Sequence, residues 1–234
     1  MVEIIPAIMP RNLYDLRTRL EPVAPYAKVI QIDVMDGKFV PARTWPYGKG
    51  RESFEPLLEE EDGLPYWETL DYEIDLMVSE PEEAIEEWIS AGAARVIVHI
   101  ESASRLKKIV DDFRARFPFP PAGEKKDVEL VLALGLNTPT DSLLPFLEDI
   151  DGVQFMGIEK IGYQGEMLSE RLMPKIHDFH NAHPEVIIAV DGGVNLENAK
   201  ALVEAGAKRL VSGSVIFENS NPGGVIKQFK SLVF

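Results

Sequence analysis

Eight times along 234 residues, a short and nearly continuous apolar run is followed by a longer stretch with helical spacing. The runs are Glu3–Ile8, Lys28–Val34, Leu70–Met77, Ala94–Ile100, Val128–Leu134, Gly152–Met156, Val186–Val190 and Arg209–Ser212. Strands that are apolar on both sides must be covered on both faces, which is the condition of a parallel sheet wrapped by helices. Strands alternating with helices make βαβ units. Eight units in a chain of this length predict an α/β fold, a closed (β/α)8 TIM barrel forming one domain over residues 1–234, in preference to an open doubly wound sheet.

The helical stretches carry their own punctuation. Ser79-Glu80-Pro81-Glu82-Glu83 reads as a helix start with Ser79 as N-cap, and Ala84, Ile85, Trp88 and Ile89 follow at helical spacing. Ala91-Gly92-Ala93 ends that helix, and Glu204-Ala205-Gly206-Ala207 ends a later one for which Asn195 is the expected cap. Thr138-Pro139-Thr140-Asp141 opens another helix. Pro41–Thr69, with four prolines, is the irregular stretch; its acidic run Glu59-Glu60-Glu61-Asp62 reads as a solvated helix end and loop.

Composition removes several function classes. Lys plus Arg is 24 and Asp plus Glu is 39, a net charge of −15 that repels phosphodiester backbones, so no nucleic-acid partner is expected. With no cysteine, thiolate zinc, a thiol nucleophile, a disulfide scaffold and an iron–sulfur site are all excluded. The N-terminus MVEIIPAIMP lacks a basic region followed by a long apolar one, and no apolar run approaches the roughly 18 residues of a membrane span. A soluble, cytoplasmic protein with no membrane partner is the expectation; homo-oligomerisation is left open.

In such a barrel the chemistry sits where the strands end. Period-two alternation puts Gln31, Asp33 and Met35 on the inward side of strand two, and Glu73, Asp75 and Met77 on that of strand three, while strand seven runs into Asp191. Asp33, Asp75 and Asp191 are expected to converge on one mouth. Three carboxylates together need either a cation among them or a proton taken up at raised pKa, and both suit proton transfer at carbon. Gly192-Gly193 after strand seven and Gly213-Ser214 after strand eight read as a phosphate cup, where backbone N–H groups approach the oxygens.

The residues resemble the ribulose-phosphate 3-epimerase family over nearly the whole length. Asp33-Val34-Met35-Asp36-Gly37-Lys38-Phe39-Val40-Pro41 is similar to the family's DVMDGxFVP run; Ile5–Met9, Leu76-Met77-Val78, Ala91-Gly92-Ala93, His99-Ile100-Glu101, Val190–Val194 and Ser212-Gly213-Ser214 are similar to its other motifs. The resemblance implies inversion of the carbon beside the ketone of a phosphorylated pentulose through an enediolate. It implies Asp33 and Asp191 as the proton-trading pair, a divalent metal between those aspartates and two histidines, and Met35, Met77 and Met156 lining the reacting centre. Simple filling of the barrel mouth is the alternative role for these methionines.

The departures bear on the metal. The two histidine ligands correspond to Gln31 and Asp75, and the serine of the first-strand motif to Ala7. After strand six, Met156–Glu166 carries an extra residue, with Gln164 and Glu166 in place of a glycine and a glutamine. His177, His180 and His183 fall on a helix and its end; His99 is read as pocket-lining or as a hydrogen-bonded structural residue. A site of Gln31, Asp33, Asp75 and Asp191 is oxygen-only, which favours Mg²⁺ or Mn²⁺ over Zn²⁺, or else leaves the gap without a metal.

Two readings are carried forward. One is an epimerase or isomerase of a phosphorylated ketose such as ribulose 5-phosphate or xylulose 5-phosphate. The other is a barrel that binds a phosphosugar without turning it over. A related decarboxylase or aldolase is disfavoured, because Asp33-Val34-Met35-Asp36 lacks the lysine of the Asp-x-Lys-x-x-Asp pattern.

Overall fold

The computed structural model describes residues 2–59, 61–121, 123–163 and 165–233. Its strands are β1 (Glu3–Ile8), β2 (Val29–Met35), β3 (Asp71–Met77), β4 (Arg95–His99), β5 (Glu129–Leu134), β6 (Gly152–Met156), β7 (Ile188–Asp191) and β8 (Arg209–Ser212). Each pairs in parallel with the next and β8 returns to β1, closing the barrel. The helices are α1 (Leu13–Leu20), α2 (Glu55–Leu58), α3 (Glu82–Ser90), α4 (Leu106–Arg116), α5 (Leu172–Ala182), α6 (Ala199–Glu204), α7 (Ser214–Phe217) and α8 (Pro222–Val233), with 3₁₀ turns at Arg51–Ser53 and Thr140–Phe146. None of the helices described is long and apolar enough to cross a membrane.

Strand alternation divides the interior in two. Ile32, Val34, Ile74, Leu76 and Leu132 join Leu16, Trp88, Phe179, Leu202 and Phe229 from the helices in one continuous core between sheet and helices. Burying each such side chain contributes about 1.5–3 kcal/mol. The intervening residues face the bore, where Ile5, Ala7 and Val211 form one small cluster and Ile97, Val131, Ala133 and Met156 another.

The N-terminal end of the bore is closed by charge. Glu73, only 1% exposed, accepts from Arg95 at 2.7 Å and also from Arg209. Arg95 pairs in addition with Glu129, and Arg209 with Glu3. Five side chains from five strands thus meet as matched ions.

Several helix boundaries differ from the sequence expectation, each for a local reason. Ser79 does not cap α3: its backbone N–H donates to Asp36 at 3.0 Å, Glu80 turns through φ +53°, and the helix begins after Pro81. Thr138–Asp141 opens a 3₁₀ turn, which holds Pro145 inside it, where an α-helix would lose a backbone hydrogen bond. Asp191–Val194 does not run straight into a helix, because Gly192 and Gly193 both adopt positive φ. Asn195 Oδ1 then accepts from Glu197 and Asn198 N–H at 2.9 and 3.0 Å, and α6 starts only at Ala199.

Pro41–Thr69 holds more order than expected. Trp45 and Phe54 stack edge-on at 5.2 Å and both pack against Trp88 of α3. Glu59, Glu61 and Asp62 are exposed. Glu60 lies outside the described residues.

Candidate active site

Strand register places the acids. Pairing of β2 with β3 sets Asp33 beside Asp75 and Met35 beside Met77, and pairing of β6 with β7 sets Met156 beside Asp191. The turn after β2 is tied down from below. Thr44 Oγ1 donates to the Asp33 carbonyl at 2.7 Å and accepts from Met35 N–H at 2.9 Å. Asp36 accepts from Lys38 and Phe39 in its own turn at 2.8 and 3.1 Å, and from Ser79 after β3.

Asp33, Asp75 and Asp191 each present a carboxylate oxygen within 4.8 Å of the others. All three are buried, at 4%, 0% and 9% exposure. The Gln31 amide nitrogen donates to Asp33 Oδ1 at 2.8 Å and to Asp191 Oδ2 at 2.7 Å. Asp75 is held from the other side by His99 Nε2 at 2.9 Å and by the Gln154 amide at 3.2 Å.

This packing of like charge away from water sets the protonation of the site. Burial, and after it the charges of Asp191 and Asp75, raise Asp33 well above the ordinary carboxylate range. Burial and then Asp75 push Asp191 up to about 7, against the lowering effects of Gln31, His99 and the Gly192 N–H. Burial alone would lower His99, but the adjoining Asp75 carboxylate more than offsets it, so the imidazole holds its proton more tightly than usual.

Above the acids lies a cavity lined by Ala7, Asp33, Met77, Met156 and Asp191. Gly192, Gly193, Gly213 and Ser214 line it as well. Positive φ at Gly192 and Gly193 (+94° and +74°) lets the chain turn sharply, and a Cβ on Gly193 would stand 2.4 Å from the Leu168 nitrogen. Asn198 Nδ2 donates to the Gly193 carbonyl at 2.9 Å within the turn after β7, and Ser212 Oγ of β8 donates to the Val194 carbonyl at 3.0 Å, tying that turn to the end of β8. Tyr163, Glu166 and Met167 line the cavity from the loop after β6. Gln164 lies outside the described residues. Among the described residues, no lining side chain is cationic.

The remaining sequence-singled residues sit around this cavity rather than on its wall. Gln31, Asp75 and His99 are fully buried, and Met35 is buried with Met77 and Val40 in one apolar cluster, with Phe39 packed against it. Phe39 also packs at 5.4 Å on the His99 ring. His177 stands exposed on α5, and His183 caps its C-terminus.

The donor set fits a hard divalent cation. Three buried carboxylates supply oxygens, and Gln31 Oε1 is a buried acceptor without a partner, so rotation of that amide would add a fourth oxygen.

The family model described as the ribulose-phosphate 3 epimerase family matches residues 3–217. This chain belongs to that family. The ribulose-phosphate 3-epimerase of Schizosaccharomyces pombe is 27% identical over 233 residues, spanning 99% of this chain and 93% of that protein. That of Bacillus subtilis is 28% identical over 236 residues, spanning 98% and 99%. Among solved structures, KGPDC from Streptococcus mutans matches with a TM-score of 0.71 at 16% identity, covering 99% of this chain and 97% of that one. The 3-hexulose-6-phosphate synthase of Salmonella typhimurium matches with a TM-score of 0.68 at 13% identity, covering 99% and 98%. At such identities these two likenesses concern the barrel alone.

Within the epimerase family resemblance, two features of this site escape motif reading. Gln154 of β6, which donates to Asp75, carries no motif; only its inward register beside Met156 points to it. The pairing of His99 with Asp75 joins strands β3 and β4, whose register sets Asp75 beside Ile97, so the contact reaches diagonally to the next inward residue.

Proposed function

We propose that this chain interconverts epimers of a phosphorylated ketose, of the ribulose 5-phosphate and xylulose 5-phosphate kind, with Asp33 and Asp191 as the proton-transferring pair. One carboxylate takes the proton from the carbon beside the carbonyl, the C–H electron pair becomes a C=C bond as the C=O π pair moves onto oxygen to give an enediolate, and the other carboxyl delivers its proton to the opposite face of that carbon as the C=O reforms. The pair must hold one proton between them. Burial and the charge of Asp75, which bring Asp191 up to about 7, and burial with the charges of Asp191 and Asp75, which raise Asp33, support that state. The single observation that carries the reading is that Asp33 and Asp191, from opposite parts of the chain, line one cavity together with Gly192-Gly193 and Gly213-Ser214.

Backbone N–H groups of Gly193, Gly213 and Ser214 are the proposed hold on the phosphate, with Gly192 shaping the turn while its own N–H faces Asp191. Met77 and Met156 present soft apolar surface to the sugar carbons, with Met35 behind Met77. Asp33, Asp75 and Asp191 would hold a metal, Mg²⁺ or Mn²⁺ before Zn²⁺, which when bound would polarise the oxygens that become the enediolate, and Gln31 would join them only by turning its amide nitrogen away from the two aspartates. His99 and Gln154 fix Asp75 in place.

Solvent deuterium wash-in to ribulose 5-phosphate, with EDTA, Mg²⁺ or Mn²⁺, tests this. Wash-in with appearance of xylulose 5-phosphate is the expected result. Thermal stabilisation by the sugar phosphate without wash-in under any condition overturns it in favour of a binding-only barrel.

A further inference from the structure

The Gln31 amide occupies an unusual position. Gln31 lies on β2 and Asp191 on β7, and β1 and β8 stand between those strands in the sheet. The contact therefore crosses the bore, over the small inward side chains of Ala7 on β1 and Val211 on β8. The amide edge 2.8 Å from Asp33 Oδ1 and 2.7 Å from Asp191 Oδ2 is the nitrogen edge, which leaves the second oxygen of each carboxyl free to carry a proton. An NH₂ group has two hydrogens, and here each is spent on a different aspartate. One oxygen of each carboxylate is engaged, and the amide itself is fully buried.

We propose that Gln31 is a positioning residue, a single amide nitrogen that fixes Asp33 and Asp191 relative to one another across the bore. Sheet register sets the spacing of Asp33 and Asp75, which are neighbours, but β2 and β7 share no register. No backbone pairing therefore holds the two carboxyls at a common spacing. The shared donor draws both toward one point and keeps them on the cavity floor. Epimerisation needs both carboxyls placed at once, one for each face of the same carbon, whereas proton exchange with solvent needs only one. The inference rests on the proton-transfer roles proposed for Asp33 and Asp191.

The test compares two reactions of one substrate in D₂O: wash-in of deuterium to recovered ribulose 5-phosphate and inversion to xylulose 5-phosphate. Gln31→Met keeps length without a donor; Gln31→Glu keeps shape, and carries the test should the Met variant not fold, as checked by circular dichroism. Inversion is expected to fall about 100-fold, the order expected for an ångström of misplacement. Wash-in should fall less than about tenfold, so the exchange-to-inversion ratio rises roughly tenfold or more. A folded variant with the wild-type ratio, whether both rates fall together or neither does, overturns the positioning role while leaving the aspartate pair intact. No wash-in by the wild-type chain overturns the aspartate reading itself, and this inference with it.

Discussion

The two ends of the barrel handle buried charge in opposite ways, and β3 takes part in both. Glu73 near its start is flanked by Arg95 and Arg209, with Glu129 and Glu3 completing the network. Asp75, two residues on, sits with Asp33 and Asp191, and their partners are two amides and one imidazole. At the floor every charge meets its opposite, so nothing there is held in reserve. At the mouth three acids face one imidazole as the sole partner able to carry positive charge, and the imbalance appears as an Asp33 raised well above the ordinary carboxylate range and an Asp191 pushed up to about 7. Matched ions seal the barrel; unmatched ones leave proton affinity available for chemistry.

Substituting one acid at the mouth should have the largest effect. Asp33→Asn and Asp191→Asn should each lower epimerisation by roughly 10²–10⁴-fold, the usual contribution of general acid–base catalysis, with circular dichroism unchanged. At the floor the order reverses. Arg209→Met strands Glu73 without one of its two cations and should cost about 3–5 kcal/mol in urea unfolding, with kcat altered less than about twofold. Activity loss in Arg209→Met matching that of Asp33→Asn would erase the distinction between the ends.

The pH dependence of stability sharpens the same contrast. A carboxyl whose folded pKa is raised contributes stability that is complete below its unfolded value and lost as pH rises through the folded one. For Asp191 that window runs from the ordinary carboxylate value of 3.8 to about 7. Asp191→Asn should therefore gain stability over wild type as pH rises through this window, by at most about 4 kcal/mol, measured by chemical denaturation in EDTA. The smallest effect is expected at the phosphate end. Glu166 lines the cavity with the proposed phosphate cup, so Glu166→Gln should lower KM for a sugar phosphate about fivefold, the scale of one exposed charge interaction, with kcat little changed.

Strands were legible in the sequence because each is apolar on both faces; Glu3–Ile8, Gly152–Met156 and Arg209–Ser212 match to the residue. Inward register followed from alternation, and it brought Asp33, Asp75 and Asp191 together because β-strand geometry leaves a side chain only two sides to choose from. Helix starts were less legible. Asn195 does accept backbone N–H groups, but it organises a turn and the helix begins four residues later, because Gly192 and Gly193 first bend the chain. The order in Pro41–Thr69 depends on Trp45 and Phe54 meeting Trp88, a contact with no local periodicity. Gln154 and the His99–Asp75 pair were hidden for a like reason: one contact crosses the bore and the other runs diagonally between neighbouring strands, and a linear pattern records only which side a residue faces.

Asp36 stitches its own turn to the one after β3, and Thr44 pins the strand beneath. That half of the rim is sewn shut, and the turn from Asp36 to Thr44 contributes nothing to the cavity wall. The approach to the cavity is left to the other half, where Tyr163 and Met167 stand, so a bulkier side chain on that loop would narrow the entrance while one on the Asp36 turn would leave it open.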